Sequence, residues 1–503
     1  MTIMSGRDAI KWAVSDSRVG RVTGVPGYPI TEIMEDLFHS RICVRWCVNE
    51  KVAFESCIGA SSAGKRGLVV TKHVGMNILA DPLITSATHT VGSGIVILAG
   101  DDPGAKKSQN EQDSRYYGLL AEVPVFDPST PQQIYDAIVE GYDLSEKVRT
   151  PVIVRLTARL VQMDERMDER IERKMMEKRK SQVFDRETWL YTFAGKHHLF
   201  HNTAYRLMRE YSEKTSMNCV EILNTRVGVI SSGYPSNLVN ELAKNDGASH
   251  LALGVVHPLP TRLLEEFIDR HERVLVVEET EPFIEDSISG VLGKRTGHLP
   301  HGRIEVEHIT HALEKINEDQ VKATPLTTRP ERIDERGYKI HPCKRCPFTP
   351  FYEALDAFDL PVAGDVGCSI LMAPHGTVDV AVSLGSAIGI AIGFSGKGIA
   401  VIGDFGLAHS GLQAIIDALE NNEDVLVFVI QNHVAAMTGG QPTVDLRRVI
   451  SSMVKNVTLV EAENTDQKAY TRIINEKLGE KGVSVVFIEG TCPKGEKFQK
   501  IKI

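Results

Sequence analysis

The chain predicts an α/β protein made of three parallel-sheet domains. Three observations carry that expectation. Its 503 residues are enough for three domains, at roughly 150 residues each. Short apolar runs that end on polar residues alternate with longer amphipathic stretches, the pattern of strands joined by crossover helices. That alternation is interrupted by charged segments and then resumes.

The first series holds strand-like Arg66–Lys72, Gly94–Ala99 and Pro151–Leu156, with helical patterns at Lys51–Ala60 and Gln132–Leu144 between them. It predicts a domain over 1–160. A charged helical linker is expected over 161–215, where MDER occurs twice and IERKMMEKRK follows. A second α/β domain, 216–325, is expected from Arg226–Ser231, Ser249–Val255 and Arg273–Glu278. Residues 326–341, rich in charge and carrying Pro330, read as another linker. The last domain, 342–503, should contain strands at Gly398–Ile402, Asp424–Ile430 and Val483–Ile488.

Composition removes several classes. Hydrophobic residues at 42% and charged residues at 24% are ordinary for a globular protein and exclude a disordered, collagen-like or coiled-coil chain. The net charge of −9 argues against nucleic acid as the main partner. The longest apolar stretch, Ser383–Phe394, is short and broken by glycines, so no membrane span is expected. Met1–Val14 is charged and lacks an apolar leader core, so a cytoplasmic location is expected. Eight cysteines are too few for a disulfide scaffold; paired cysteines in a reducing compartment more often serve metal or redox chemistry.

The densest chemistry lies between Gly403 and Gln441. One apolar strand ends in Gly403-Asp404-Phe405-Gly406 and the next in Gln431-Asn432. Gly403 and Asn432 stand 29 positions apart, the length of one strand–helix–strand crossover. Both polar ends then fall at the carboxyl edge of adjacent parallel strands, where open sheets bind ligands. The Asp404 carboxylate, the Asn432 amide oxygen and the Val434 carbonyl form an oxygen set suited to magnesium holding a diphosphate. The glycines allow close backbone approach.

This pattern resembles the thiamine diphosphate-binding motif. Further residues resemble the α subunit of indolepyruvate:ferredoxin oxidoreductases: His409-Ser410-Gly411 and Ala436-Met437-Thr438-Gly439; Val48-Asn49-Glu50-Lys51; Lys72-His73-Val74-Gly75; Asp101-Asp102-Pro103-Gly104; His257-Pro258-Leu259-Pro260; and Glu278-Glu279-Thr280-Glu281-Pro282-Phe283. The resemblance implies a pyrimidine-binding domain at the N-terminus, a transketolase C-terminal-like domain in the middle and a diphosphate-binding domain last. It implies oxidative decarboxylation of a 2-oxo acid to an acyl-CoA, with electrons passed to ferredoxin. It also implies a smaller β/γ-type partner subunit and a homodimer within a hetero-oligomer.

In such enzymes a glutamate contacts N1′ of the aminopyrimidine, and Glu50 matches it; that carboxylate should be buried. His73 and His409, at strand ends, are candidates for proton handling. Thr31, Lys72 and Arg115 are candidates for the substrate, Lys72 and Arg115 through its carboxylate. Gly403, Phe405, Gly406, Gly367 and Met437 should line the cofactor beside Asp404, Asn432 and Val434. Two departures bear on the substrate. The family's Tyr-Pro-Gly-Thr-Pro-Ser-Ser loop is here Gly27-Tyr28-Pro29-Ile30-Thr31, and its Cys-Pro-Gly-Cys-Pro-His-Arg is here Cys343-Lys344-Arg345-Cys346-Pro347-Phe348-Thr349. Both leave room for a 2-oxo acid other than an arylpyruvate. The family's α subunit ends in a ferredoxin-like domain with two cysteine clusters; none follows Cys492 here, so another electron exit is expected.

Cys343, Cys346, Cys368 and Cys492 stand at element ends of the last domain. Their order resembles the proximal 4Fe-4S ligands in the β subunit of pyruvate:ferredoxin oxidoreductases. A structural zinc site and plain buried cysteines are the rivals. Cys43, Cys47, Cys57 and Cys219 read as core residues. Two other functions stay open. Gly24-Val25-Pro26-Gly27 also resembles non-oxidative decarboxylases of the phosphonopyruvate and sulfopyruvate type, which need no cluster, and a cofactor-binding subunit without turnover would not depend on Glu50.

Overall fold

The computed structural model describes residues 2–38, 43–89, 91–167, 196–321, 343, 345–375 and 377–493. The chain divides into two compact units, Met1–Leu326 and Thr327–Ile503.

Fourteen of the strands fall as follows: β1 (Thr2–Ser5), β2 (Arg21–Gly24), β3 (Cys43–Trp46), β4 (Gly67–Lys72), β5 (Ile95–Asp101), β6 (Val125–Phe126), β7 (Val152–Thr157), β8 (Asp164–Met167), β9 (Cys219–Glu221), β10 (Val227–Ser232), β11 (Ser249–Leu253), β12 (Val255–His257), β13 (Arg273–Val277) and β14 (Val362–Gly364). Four more complete the second unit: β15 (Gly398–Gly403), β16 (Val425–Gln431), β17 (Asn456–Glu461) and β18 (Val483–Glu489).

The first unit holds a seven-stranded sheet of order β12-β6-β7-β5-β4-β2-β3 and a four-stranded sheet of order β13-β10-β11-β9. β5 and β7 are buried along their whole length, as expected of parallel strands covered on both faces. One face packs on the helices Gly6–Asp16, Thr31–Phe38 and Pro131–Val148. Ser5 and Asp8 start the first of these with a capping box, and Thr130 followed by Pro131 starts the last. The other face packs on Glu50–Ser62 and His73–His89 and shares its core with Ile230, Leu251, Val274 and Val276 of the four-stranded sheet.

The strand expected over Ser249–Val255 ends at Leu253. Gly254 interrupts it, since a Cβ there would lie 2.7 Å from the Met217 carbonyl oxygen. The chain then crosses, and β12 pairs antiparallel with β6 of the seven-stranded sheet. The two sheets therefore share a strand connection as well as a core.

Within 161–215, residues 168–195 lie outside the described residues. Asp164–Met167 is a strand paired with β1. Residues 196–214 are helical, and Phe200, Ala204 and Met208 enter the core of the first unit. One face of this part is therefore packed against the first unit. The linker expected over 326–341 lies outside the described residues. Cys57 is buried, but Cys43 and Cys219 are exposed because β3 and β9 are edge strands.

The second unit is one parallel sheet of order β14-β15-β16-β18-β17. β16 is buried throughout, with apolar clusters on both of its faces. Among the described residues, no helix is long and apolar enough to cross a membrane.

Candidate active site

In the first unit the candidate residues gather at the carboxyl edges of β2, β3 and β4. Glu50 is the first residue of its helix, whose N-terminus Asn49 caps by accepting from the Val52 N–H at 2.9 Å. Glu50 is only 5% exposed. A Cβ added at Gly75 would stand 2.4 Å from its Oε1, so a glycine is what lets this carboxylate lie against the following helix.

Lys72 ends β4 and donates from Nζ to Gln109 Oε1 at 2.9 Å. Burial pushes its ammonium down to about 8, against the opposing pull of the Glu50 and Asp102 carboxylates. Its stem lies across Gly27, where a Cβ would meet Lys72 Cδ at 2.5 Å. Asp102 shapes the loop that brings Gln109 in, accepting from the Lys107 and Ser108 N–H groups at 2.8 and 3.0 Å. His73 starts the next helix fully buried, and burial lowers its pKa. Neither of its ring nitrogens has a hydrogen-bond partner of ordinary geometry. Buried polar atoms normally have one, so this imidazole suits a ligand. Thr31 closes its own turn, its hydroxyl accepting from the Gly27 N–H at 2.9 Å and donating to the Gly27 carbonyl at 3.0 Å.

Arg115 is elsewhere. It is fully buried and its guanidinium is held by protein acceptors: Asp113 at 2.5 Å, Glu278 at 2.6 Å and the carbonyls of Glu279 and Glu281 at 2.9 and 3.0 Å. Arg155, equally buried, bonds Asp101 at 2.6 Å and Asp127 at 3.3 Å. Asp101, Asp127 and Glu278 stand at the ends of β5, β6 and β13, and Asp113 in the loop before the helix Arg115–Ala121. The acidic motifs at 101–113 and 278–281 thus form one ion network joining the two sheets.

In the second unit, Asp404 sits at the carboxyl end of β15 and is 2% exposed. Its carboxylate accepts from the N–H groups of Phe405 and His433 at 2.8 and 2.7 Å, from Thr443 Oγ1 at 2.8 Å and from Gln431 Nε2 at 3.2 Å. Burial still pushes its pKa up to about 6, and a bound cation would supply the missing countercharge. Asn432 Oδ1 accepts from the Val434 N–H at 3.1 Å, and His433 between them takes a left-handed φ of 59°. Cβ atoms added at Gly403 and Gly367 would meet nothing within 4 Å, which leaves open space beside this edge. Gly406 differs: a Cβ there would strike Asp365 Oδ2 at 1.8 Å. Asp365, buried and raised by that burial to about 7, accepts from the Gly385 N–H at 2.5 Å and feels the charge of His409. His409 is itself buried, with Nδ1 3.1 Å from Ser410 Oγ. Met437 is half exposed.

Cys343, Cys346, Cys368 and Cys492 line one cavity, together with Phe348, Tyr352, Ile430 and Asn432. Among the described residues, no three of the four sulfurs lie within 4.8 Å of one another. Sequence reasoning missed Thr443, Gln431 and Asp365. Asp365 stands two residues before Gly367, and a carboxyl-edge aspartate in Gly-Asp-Val-Gly is the available signal.

Two family models match. "Pyruvate flavodoxin/ferredoxin oxidoreductase, thiamine diphosphate-binding" covers residues 26–222. "Thiamine pyrophosphate enzyme, C-terminal TPP binding domain" covers residues 365–485. The indolepyruvate oxidoreductase subunit IorA of Archaeoglobus fulgidus is 31% identical over 483 residues, which span 87% of this chain and 75% of that protein. The chain belongs to the IorA family. The IorA of Pyrococcus abyssi is 30% identical, over 97% of this chain and 85% of its own length. A solved structure, the 2-oxoglutarate:ferredoxin oxidoreductase from Magnetococcus marinus, superposes with a TM-score of 0.52 at 16% identity. The match takes in 62% of this chain and 65% of that one, just under two thirds, and bears on fold alone. IorA-family membership and the two matched domains make this an oxidoreductase subunit of thiamine diphosphate-binding architecture.

Proposed function

We propose that the chain carries out thiamine diphosphate-dependent oxidative decarboxylation of a 2-oxo acid, indolepyruvate-like or another, in the cytoplasm. In this reading coenzyme A takes the acyl group, ferredoxin takes the electrons, and the chain works as a homodimer with a smaller β/γ-type subunit. The observation that carries the reading is the convergence of Cys343, Cys346, Cys368 and Cys492 on a cavity that also contains Asn432. A non-oxidative decarboxylase has no use for four thiolates beside its cofactor edge. Four thiolates around one cavity are the usual ligand set of a 4Fe-4S cluster.

Bound thiamine diphosphate supplies a nucleophilic carbon and an electron sink. Glu50 would hold the aminopyrimidine N1′ and govern its proton. Asp404, the Asn432 side chain and the Val434 carbonyl would hold magnesium, with Gly403, Phe405, Gly406, Gly367 and Met437 lining the site for the diphosphate. Gln431, Thr443 and the His433 N–H keep the Asp404 carboxylate oriented. Lys72, still largely protonated at neutral pH, faces the substrate carboxylate, and Thr31 fixes the Gly27 turn against which the Lys72 stem lies. His73 and His409 receive and return protons. Arg115 is assigned to the ion network and not to the substrate, because its guanidinium is fully enclosed by protein acceptors.

The test is anaerobic purification followed by iron, sulfide and zinc analysis and an EPR spectrum of the reduced protein. About four irons and four sulfides per chain, lost in Cys346→Ser, support the oxidoreductase reading. Iron-free protein from anaerobic preparation overturns the cluster and moves the function to non-oxidative decarboxylation.

A further inference from the structure

A second cluster of ligating side chains lies in the first unit, outside the candidate active site. Glu122, His197 and His201 place one ligand atom each within 4.8 Å of one another. Among the described residues no other group of three His, Cys, Asp or Glu side chains does so. Glu122 directly follows the helix Arg115–Ala121 as its C-cap, in a left-handed conformation with φ 56°. His197 and His201 are four apart on the helical segment that begins at Lys196, so both rings share one face.

Two of the three separations are those of a coordination sphere, and His197 approaches Glu122 less closely, at 3.9 Å through Nδ1. His201 Nε2 stands 3.1 Å from Glu122 Oε1 and 3.3 Å from His197 Nε2. A tetrahedral ion with bonds of about 2.0–2.1 Å sets its ligand atoms about 3.3–3.4 Å apart. The two rings meet edge to face, at 88° with centroids 4.5 Å apart, which leaves their nitrogens converging rather than stacked. His198, on another face, is occupied by Asn202 at 2.8 Å and is not part of the set. The turn His201–Tyr205 is π-helical, a widening of the helix that occurs frequently at functional sites.

We propose that Glu122, His197 and His201 bind a divalent transition metal, zinc by ligand class, with water in the fourth position. Two imidazoles and one carboxylate are a standard three-ligand set for zinc with an open site. The His197 side chain is 68% exposed, so the fourth position faces solvent. Glu122 and His197 are 75 positions apart, so the ion would close a long loop, the case in which a clip gains most in principle. It would fasten the start of the helical segment 196–214 to the helix Arg115–Ala121.

The test uses the full chain, stripped with a chelator and titrated anaerobically with Co²⁺, then competed with Zn²⁺. Cys343→Ser/Cys346→Ser protein is run in parallel to separate thiolate binding. One equivalent with a histidine–carboxylate spectrum free of sulfur charge transfer, kept in the double cysteine variant, is expected. His201→Asn and Glu122→Gln should each weaken it by more than the roughly 10–100-fold that loss of an outer partner of a ligand costs. Zn²⁺ should raise the Tm of the double cysteine variant but not of that variant carrying His201→Asn as well. No histidine-type equivalent in the wild type, or one that persists unchanged in both His201→Asn and Glu122→Gln, overturns the proposal and leaves the contacts as hydrogen bonds. Because the readouts are metal binding and melting, they stand apart from the 2-oxo acid chemistry.

Discussion

Gly75→Ala tests the placement of Glu50 without touching the carboxylate itself. The new methyl would lie 2.4 Å from Glu50 Oε1 and 2.2 Å from Thr71 Oγ1, where ordinary contact begins at 3.4 Å. The carboxylate must therefore retreat by about 1 Å, a misplacement that can cost on the order of 10²-fold in rate. Stability should change far less. Alanine is favoured over glycine inside a helix by about 0.5–1 kcal/mol, and local overpacking costs about 1–3 kcal/mol, so the net loss is at most about 2.5 kcal/mol. The assay is hydrogen–deuterium exchange at C2 of bound thiamine diphosphate, which needs neither substrate nor partner subunit. Exchange should fall about 100-fold in a protein that melts within a few degrees of wild type and still binds the cofactor. Exchange at the wild-type rate in folded, loaded Gly75→Ala would refute the role given to Glu50.

Three further outcomes are expected. Arg115→Met strands Asp113 and Glu278 in the interior and should cost about 3–5 kcal/mol of first-unit stability, read as a drop in the denaturation midpoint. Thr443→Val removes a 2.8 Å hydrogen bond to Asp404 and should weaken magnesium-dependent cofactor retention about 10–100-fold with little change in melting; unchanged retention would show that Asp404 needs no such support. Lys294, buried and donating to the Pro300 carbonyl at 2.7 Å, is lowered from 10.5 to about 8 by burial. Between those values the unfolded chain holds the proton and the folded one does not, so stability should rise with pH across that window, by at most about 3 kcal/mol. Lys294→Met should flatten that rise in urea titrations.

The strands that were easiest to read were the ones buried on both faces. Gly67–Lys72, Val152–Thr157 and Val425–Gln431 are mostly apolar and buried nearly throughout, as strands covered on both faces are. Edge strands such as Cys43–Trp46 and Cys219–Glu221 are short and partly exposed, so no run marks them. Residues at strand ends were legible for the same topological reason: Asp404, Asn432 and Lys72 each follow an apolar run. Thr443 was not, because it reaches Asp404 from a loop 39 positions away. Arg115 reads as a substrate ligand in the sequence because, besides the neighbouring Asp113, the acceptors that enclose it come from Glu278, Glu279 and Glu281, more than 160 positions away. In residues 196–214 the charged and polar positions hide the apolar ones that pack inward, Phe200, Ala204 and Met208 among them.

The crossing of β12 into the neighbouring sheet limits how this protein can be cut. A boundary drawn near residue 216 would look natural, since a complete set of parallel strands lies on either side of it. Yet excision of the downstream piece would peel Val255–His257 from β6, exposing an unpaired strand edge. It would also leave Arg115 without Glu278 and Arg155 without Thr280. The piece that keeps these pairings together is thus the whole of Met1–Leu326, two sheets riveted by one strand and a handful of interior charges.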